Sequence, residues 1–565
     1  MLARLRSSIP YEDVAAGARF LWSLPGFLRH PISVEHARAI LRRRLEEREA
    51  DFLALVCNAI YGQATSPYRE LLNLAGCEYG DLERLVAREG VEGSLHTLFQ
   101  RGVYLTVDEF KGRRPVVRGS ATLAVNPVLL RNPCSAFHTP VQSGGSRGTA
   151  TPVPIDLAWL RDCAVYMRLI YRARGDIGWL HAVWGVPGGA AMLVTLLYSR
   201  MGAPPVRWFS QVDPAAPGLH PRYRWSARGM RWGSLLAGVP LPRPQHVPLT
   251  NPLRVAHWMA GILRAGGTPH LYTFASSAVR LCRAALDAGV DLRGAQLTLG
   301  SEPITAARLA AVRRAGAEAV PGYGTAECNY IGTGCLAPEA SDDLHLIHDT
   351  HALIQPGPDG KQTDLPPSAL LISSLRRTAP VILLNVSLGD QAVVARRACG
   401  CPLERLGWAT HLHTVRSYEK LSAGGMTFLD VDVIRVLEEV LPARFGGGPT
   451  DYQLLEEEAP DGQPDLQLLV EPALGPLDPD AVTDAFLGAL GGGSGVERVM
   501  ATQWRQGRFL RVQRRAPLLT ASGKVLHLHV ERQSPSRPTL GQVPPPGRWT
   551  RGLGRAAVRD ERSIR

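Results

Sequence analysis

The chain has 565 residues, 45 % of them hydrophobic and 20 % charged, with 63 Lys and Arg against 51 Asp and Glu and a formal charge of +12. That apolar share excludes a wholly disordered chain, and nine cysteines are too dilute for a disulfide-stapled mini-protein. Seven arginines fall in the Pro-rich stretch 534–565, so part of the charge is a solvated tail, and no basic stripe with interleaved aromatic residues marks a nucleic-acid surface.

In chain order, residues up to about 114 are mostly helical in pattern. Apolar residues recur at three and four over 34–48, and the runs 82–88 and 92–99 continue that spacing. From about residue 115 short apolar runs alternate with helical ones, as at 121–125, 190–200, 255–264, 275–288, 296–299 and 305–314. This alternation predicts an α/β lobe whose sheets are covered by helices. The longest uncharged stretch, 177–199, is long enough to span a bilayer, but Pro187, Gly188 and Gly189 split it. We read it as a strand, a tight turn and a buried helix, with no membrane span. After Arg405 the pattern changes to strands at 426–429, 452–455 and 466–470 and helices at 431–441 and 480–490, a compact α+β lobe. The fold class is therefore α/β, with a large N-terminal lobe of helix-covered β-sheets and a small C-terminal α+β lobe. No secretory signal opens the sequence, and the odd, unevenly spaced cysteines predict a reducing cytoplasm.

Four loops carry chemistry. Ser143, Gly144, Gly145, Ser146, Arg147, Gly148 and Thr149 combine glycines that let backbone N–H groups approach an anion with two hydroxyls and a fixed positive charge, a composition suited to a polyphosphate. No Gly-Lys-Ser/Thr follows, so this is not a Walker loop. Tyr323, Gly324, Thr325, Ala326 and Glu327 follow a short apolar run, so that an aromatic ring is available to a flat base and a carboxylate to a Mg²⁺ on phosphates. Asp390 ends an apolar run and is suited to accept from ribose hydroxyls. Lys524 follows a Gly-containing turn close to the end of the second lobe.

In this order and at these separations the four segments resemble the adenylate-forming superfamily of acyl-CoA synthetases, peptide-synthetase adenylation domains and luciferases. The phenylacetate–CoA ligase-like branch is the most similar. The resemblance runs from about residue 115 to 532. It implies that 143–149 is the phosphate loop and that Gly300, Ser301, Glu302 and Pro303 line the acyl and adenine site. It makes Tyr323, Gly324 and Thr325 the aromatic motif, Glu327 the Mg²⁺-binding acid and Asp390 the ribose acid. Arg416 then stands before the interdomain hinge, with Gly425 nine residues on, and Lys524, Glu327 and Arg147 are the catalytic side chains. It further implies division into 1–114, the N-terminal helical segment of the large lobe; 115–415, an AMP-binding core; 416–533, a small mobile lobe; and 534–565, a tail. Arg147 stands where a Thr is usual, and Ala326 where a Thr precedes the acid.

The implied reaction is ATP- and Mg²⁺-dependent activation of a small carboxylic acid to an acyl-adenylate, followed by transfer to a thiol, CoA first. A carrier protein or protein cysteine is the alternative acceptor, and a non-catalytic nucleotide-binding homologue the alternative of another class. Separately, Cys335, His345, Cys399 and Cys401 offer a Cys₃His set for a structural Zn²⁺, with His348 and His351 as alternatives to His345.

Overall fold

Between residues 180 and 314 each strand run is followed by a helix, and this dictates layers. The computed structural model describes residues 11–136, 138–142, 152–186, 189–213, 221–358, 363–418, 421–423, 426–428, 430–458, 464–490, 510–520 and 523–531. Twelve strands share one sheet: β1 (Leu180–Gly185), β2 (Arg207–Ser210), β3 (Pro244–His246), β4 (Pro269–Phe274), β5 (Gln296–Gly300), β6 (Glu318–Thr325), β7 (Asn329–Gly334), β8 (Leu344–Leu346), β9 (His351–Ile354), β10 (Ala369–Ser374), β11 (Val386–Arg396) and β12 (Thr410–Ser417). Their spatial order is β9-β10-β11-β12-β8-β7-β6-β5-β4-β1-β2-β3.

The sheet has two halves. From β3 to β6 every pairing is parallel. From β6 to β9 every pairing is antiparallel. In the parallel half the chain starts at β1, walks outward to β3, then returns to lay β4 on the other side of β1. The order reverses between β1 and β4, and at the carboxyl ends of the strands on either side of such a reversal open α/β sheets take ligands in a crevice.

Helices cover both faces of this half. Leu157–Ala173 and Gly189–Arg200 pack on one face around Tyr166, Val183, Leu197 and Tyr272. Leu253–Arg264, Ala275–Asp287 and Ala306–Arg314 pack on the other around Met259, Leu271, Leu281 and Leu297. Leu271 and Tyr272 are neighbours on β4 and go to opposite cores, as the two-residue period of a strand requires. The uncharged stretch thus forms β1 and the helix Gly189–Arg200. No helix among the described residues is long and apolar enough to cross a membrane. In the N-terminal part the two expected runs form one element, Tyr79–Gln100, broken at Gly90 (φ 69°) in the gap between them.

The later strands β13 (Tyr452–Glu458), β14 (Pro464–Val470), β15 (Leu510–Gln513) and β16 (Leu528–Glu531) form a separate sheet in the order β15-β14-β13-β16. It has its own core of Val433, Leu437, Leu454, Leu468 and Phe486. The helix expected over 431–441 runs on from Asp430–Arg435 to Leu441–Phe445 through a wider turn at Val436–Val440. Pro442 has no N–H for the Glu438 carbonyl four residues back, which is a physical reason for the ladder to widen there.

Candidate active site

Tyr323 on β6 and Asp390 on β11 lie 67 residues apart, and the sheet brings them together: the phenol donates to Asp390 Oδ2 at 2.8 Å. Burial, then the neighbouring carboxylate, push the Tyr323 phenol well above its ordinary pKa, so it stays a donor. The β6–β7 hairpin is tight here, with Thr325 opposite Asn329. A Cβ on Gly324 would stand 2.1 Å from the Asn329 carbonyl oxygen, so the backbones meet only because position 324 has no side chain. Asn329 itself takes φ 61°, and Cys328 N–H donates to Thr325 Oγ1 at 3.2 Å. Glu327 sits in this turn and is buried.

The turn after β5 is next along the strand ends, since Leu299 pairs with Pro321. Ser301 is held at φ 67°, a backbone strain that a non-glycine residue keeps only when its surroundings fix it. Glu302 is the hub. Its carboxylate accepts from Ser276 N–H at 2.6 Å, Ser276 Oγ at 2.8 Å, Arg308 Nη1 at 3.2 Å and Val525 N–H at 3.2 Å.

That last contact brings in the late loop. Lys524 Nζ lies 5.6 Å from the Phe274 ring centroid, at the carboxyl end of β4. Its backbone is fixed by N–H donation to Thr520 Oγ1 at 3.0 Å and by Thr520 N–H donation to its carbonyl at 2.9 Å. Gly523 has φ +79°, and a Cβ there would meet Gln211 Oε1 at 2.4 Å. Gln211 in turn donates to the Trp184 carbonyl of β1 and to Ser277. The loop is therefore seated over the carboxyl ends of β1, β2 and β4, at the reversal of strand order. Burial depresses the Lys524 pKa, and the Glu302 carboxylate partly offsets that.

Arg416 lies on β12 opposite Gln391, the neighbour of Asp390. Its guanidinium is turned to Asp342, donating at 2.9 Å, and Asp342 also accepts from the N–H groups of Thr414 and Val415. The structure thus brings Gly300 to Pro303, Tyr323 and Lys524 to the carboxyl ends of β4, β5 and β6, whereas Asp390 lies not at a strand end but within β11, where Tyr323 reaches it, with Arg416 one strand away and committed to Asp342. Ser143, Gly144, Gly145, Ser146, Arg147, Gly148, Thr149 and Gly425 lie outside the described residues. The strands flanking the first seven, Thr139–Gln142 and Pro152–Ile155, pair antiparallel. Sequence reasoning missed Arg308, Glu438 and Asp342. The one local signal was an acid inside an apolar helical run just before Pro442.

A second cluster lies at the β8–β12 junction. Donor atoms of Cys335, His345, Cys399 and Cys401 all fall within 4.8 Å of one another. His345 Nδ1 is bonded to the Trp408 carbonyl at 2.6 Å, which leaves Nε2 facing Cys401 Sγ at 3.2 Å and Cys399 Sγ at 3.6 Å. Burial lowers the His345 pKa to about 4, so the ring is neutral and able to donate a lone pair near pH 7. Three thiolates and an imidazole are a standard donor set for a structural tetrahedral ion, and here all four donor atoms lie within 4.8 Å of one another. His348 and His351 are not in the cluster.

No protein-family model matches the sequence, and no curated protein does. Among solved structures, a 2-hydroxyisobutyryl-CoA ligase in the postadenylation state in complex with 2-HIB-AMP superposes with a TM-score of 0.52 at 16 % identity, over 89 % of this chain and 91 % of that one. The same ligase with R3-HIB-AMP gives 0.46 at 15 %, over 89 % and 91 %. The anthranilate CoA ligase AuaEII in complex with anthranoyl-AMP gives 0.41 at 14 %, over 73 % and 68 %. The first superposition shows that this chain has the fold of an adenylate-forming ligase, the fold its motifs resemble.

Proposed function

We propose that the chain is an AMP-forming acid–thiol ligase of the phenylacetate–CoA ligase-like branch, with CoA as the acceptor. The observation that carries this reading is the placing of Lys524 beside Phe274 at the carboxyl end of β4, with the next residue, Val525, bonded to the Glu302 turn, together with the Tyr323–Asp390 bond between β6 and β11.

A carboxylate is a poor acyl donor because its oxygen leaves badly. In the first step a carboxylate oxygen bonds to the α-phosphorus of ATP while the bond to the pyrophosphate oxygen breaks, and pyrophosphate departs with that electron pair. In the second, a thiolate sulfur bonds to the acyl carbon and AMP leaves with its oxygen. The first step joins two anions, so positive charge must be waiting at the reacting oxygens. Lys524 supplies a desolvated ammonium, and Arg147 a second cation from the phosphate loop. Asp390, which accepts from Tyr323 at Oδ2, is the acid for the ribose hydroxyls, and the Tyr323 ring is the flat surface for the base. Glu327 would hold Mg²⁺, which would neutralise the phosphates. The small lobe, 416–533, turns between the steps about a hinge near Arg416 and Tyr418. Cys335, His345, Cys399 and Cys401 would hold a structural Zn²⁺, which would tie the end of β7, β8 and the segment before β12 together.

Carboxylate-dependent exchange between pyrophosphate and ATP tests this reading across an acid panel. Exchange in the wild type that drops by about 100-fold or more in Lys524→Ala supports it. No exchange with any acid refutes it.

A further inference from the structure

The loop that delivers Lys524 does not stand alone. Arg308, fully buried on the large lobe, reaches Glu302 Oε2 at 3.2 Å and the Pro303 carbonyl at 3.1 Å with Nη1. Its Nε lies 2.8 Å from Glu438 Oε1, on the helix of the small lobe. Glu438 Oε1 also takes His527 Nε2 at 2.6 Å, and Thr305 Oγ1 donates to Glu438 Oε2. His527 Nε2 lies 3.2 Å from Arg308 Nη2, but a carboxylate only accepts, so the ring proton belongs to the Glu438 contact. Val525, between Lys524 and His527, closes the ring on Glu302 through its N–H.

Glu438 occupies the widened turn at Val436–Val440, and its side chain is 1 % exposed. An acid buried this completely is costly unless every lone pair is met, and here both oxygens are met by groups from the large lobe and from the strand-end loop. The charges also divide evenly. Glu302 and Arg308 cancel on one side of the junction, and Glu438 and Lys524 cancel on the other. The two halves therefore part without stranding net charge on either, as a contact made and broken in every cycle requires.

We infer that Glu438 and His527 are positioning residues, a latch that holds the small lobe in the pose presenting Lys524 to the crevice. The inference deepens the ligase reading and rests on it for its catalytic consequence. Adenylation, which uses Lys524, is then set by the latch, and thioester formation is not.

The test uses the full chain and two readouts. In Glu438→Gln, amide hydrogen exchange at 523–528 rises while 452–470 keeps its protection. Pyrophosphate–ATP exchange falls by about 10- to 100-fold, and conversion of supplied acyl-adenylate to thioester is retained. His527→Gln keeps an amide donor and loses less than His527→Ala. Unchanged protection at 523–528 overturns the latch, as does protection lost over the whole small sheet, which makes Glu438 a core residue only. Equal loss of both half-reactions overturns its catalytic role. A wild type that exchanges with no acid refutes the ligase reading, while the protection pattern still decides the contact.

Discussion

Glu302, Lys524 and Glu438 show at the residue scale how one set of contacts fixes charge state. Burial alone raises the Glu438 pKa, but Arg308 and His527 outweigh it and hold the carboxyl below its ordinary 4.5. A depressed folded pKa contributes stability that is present above the unfolded value and lost as pH falls through the folded one. Glu438→Gln is therefore expected to flatten the acid side of a stability–pH curve below about pH 4.5, read by urea unfolding. Lys524 runs the other way: burial pulls it below 10.5, and Glu302 resists. The alkaline limb of adenylation should lie below that value and move lower still in Glu302→Gln, as a pH–rate profile would record. Tyr323→Phe removes the donor to Asp390 and is expected to cost about 1 kcal/mol in denaturant titration.

At the scale of elements, the β6–β7 hairpin is the tightest constraint on the site. Gly324→Ala drives a methyl into the Asn329 carbonyl, and we expect a loss of about 3 kcal/mol, measured as a lower urea midpoint at constant slope. Much of this level was legible in the sequence. The helical runs at 255–264, 275–288 and 305–314 appear as Leu253–Arg264, Ala275–Asp287 and Ala306–Arg314, because each carries its apolar stripe locally. The Lys524 loop and the Tyr323 motif were legible as composition. The widened turn at Glu438 was not, since only the pairing of Pro442 with a missing donor gives it away. The partnership of His527 with Glu438, 89 residues apart, was out of reach, because nothing local encodes which distant charges a fold brings together. Strand order was hidden for the same reason: alternation gives βα units but not the side of β1 on which β4 is laid.

For the molecule as a whole, the seam at β6 matters most. On its parallel side lie the crevice and Lys524. On its antiparallel side, β8 pairs with β12 across more than sixty residues of chain, and the cysteine cluster sits at that junction. We expect close to one zinc per chain by elemental analysis. Stripping the metal, or Cys401→Ser, should lower the melting temperature by several degrees without abolishing Lys524-dependent exchange, and chelator melts read alongside the exchange assay would check it. The donors enter the chain at 335, 345, 399 and 401, so no nascent polypeptide that stops short of residue 401 owns the full set. Capture of the expected ion would thereby be a late event of biosynthesis. A ribosome stalled before that point leaves β8 paired with β7 alone and its other edge bare for chaperones to guard.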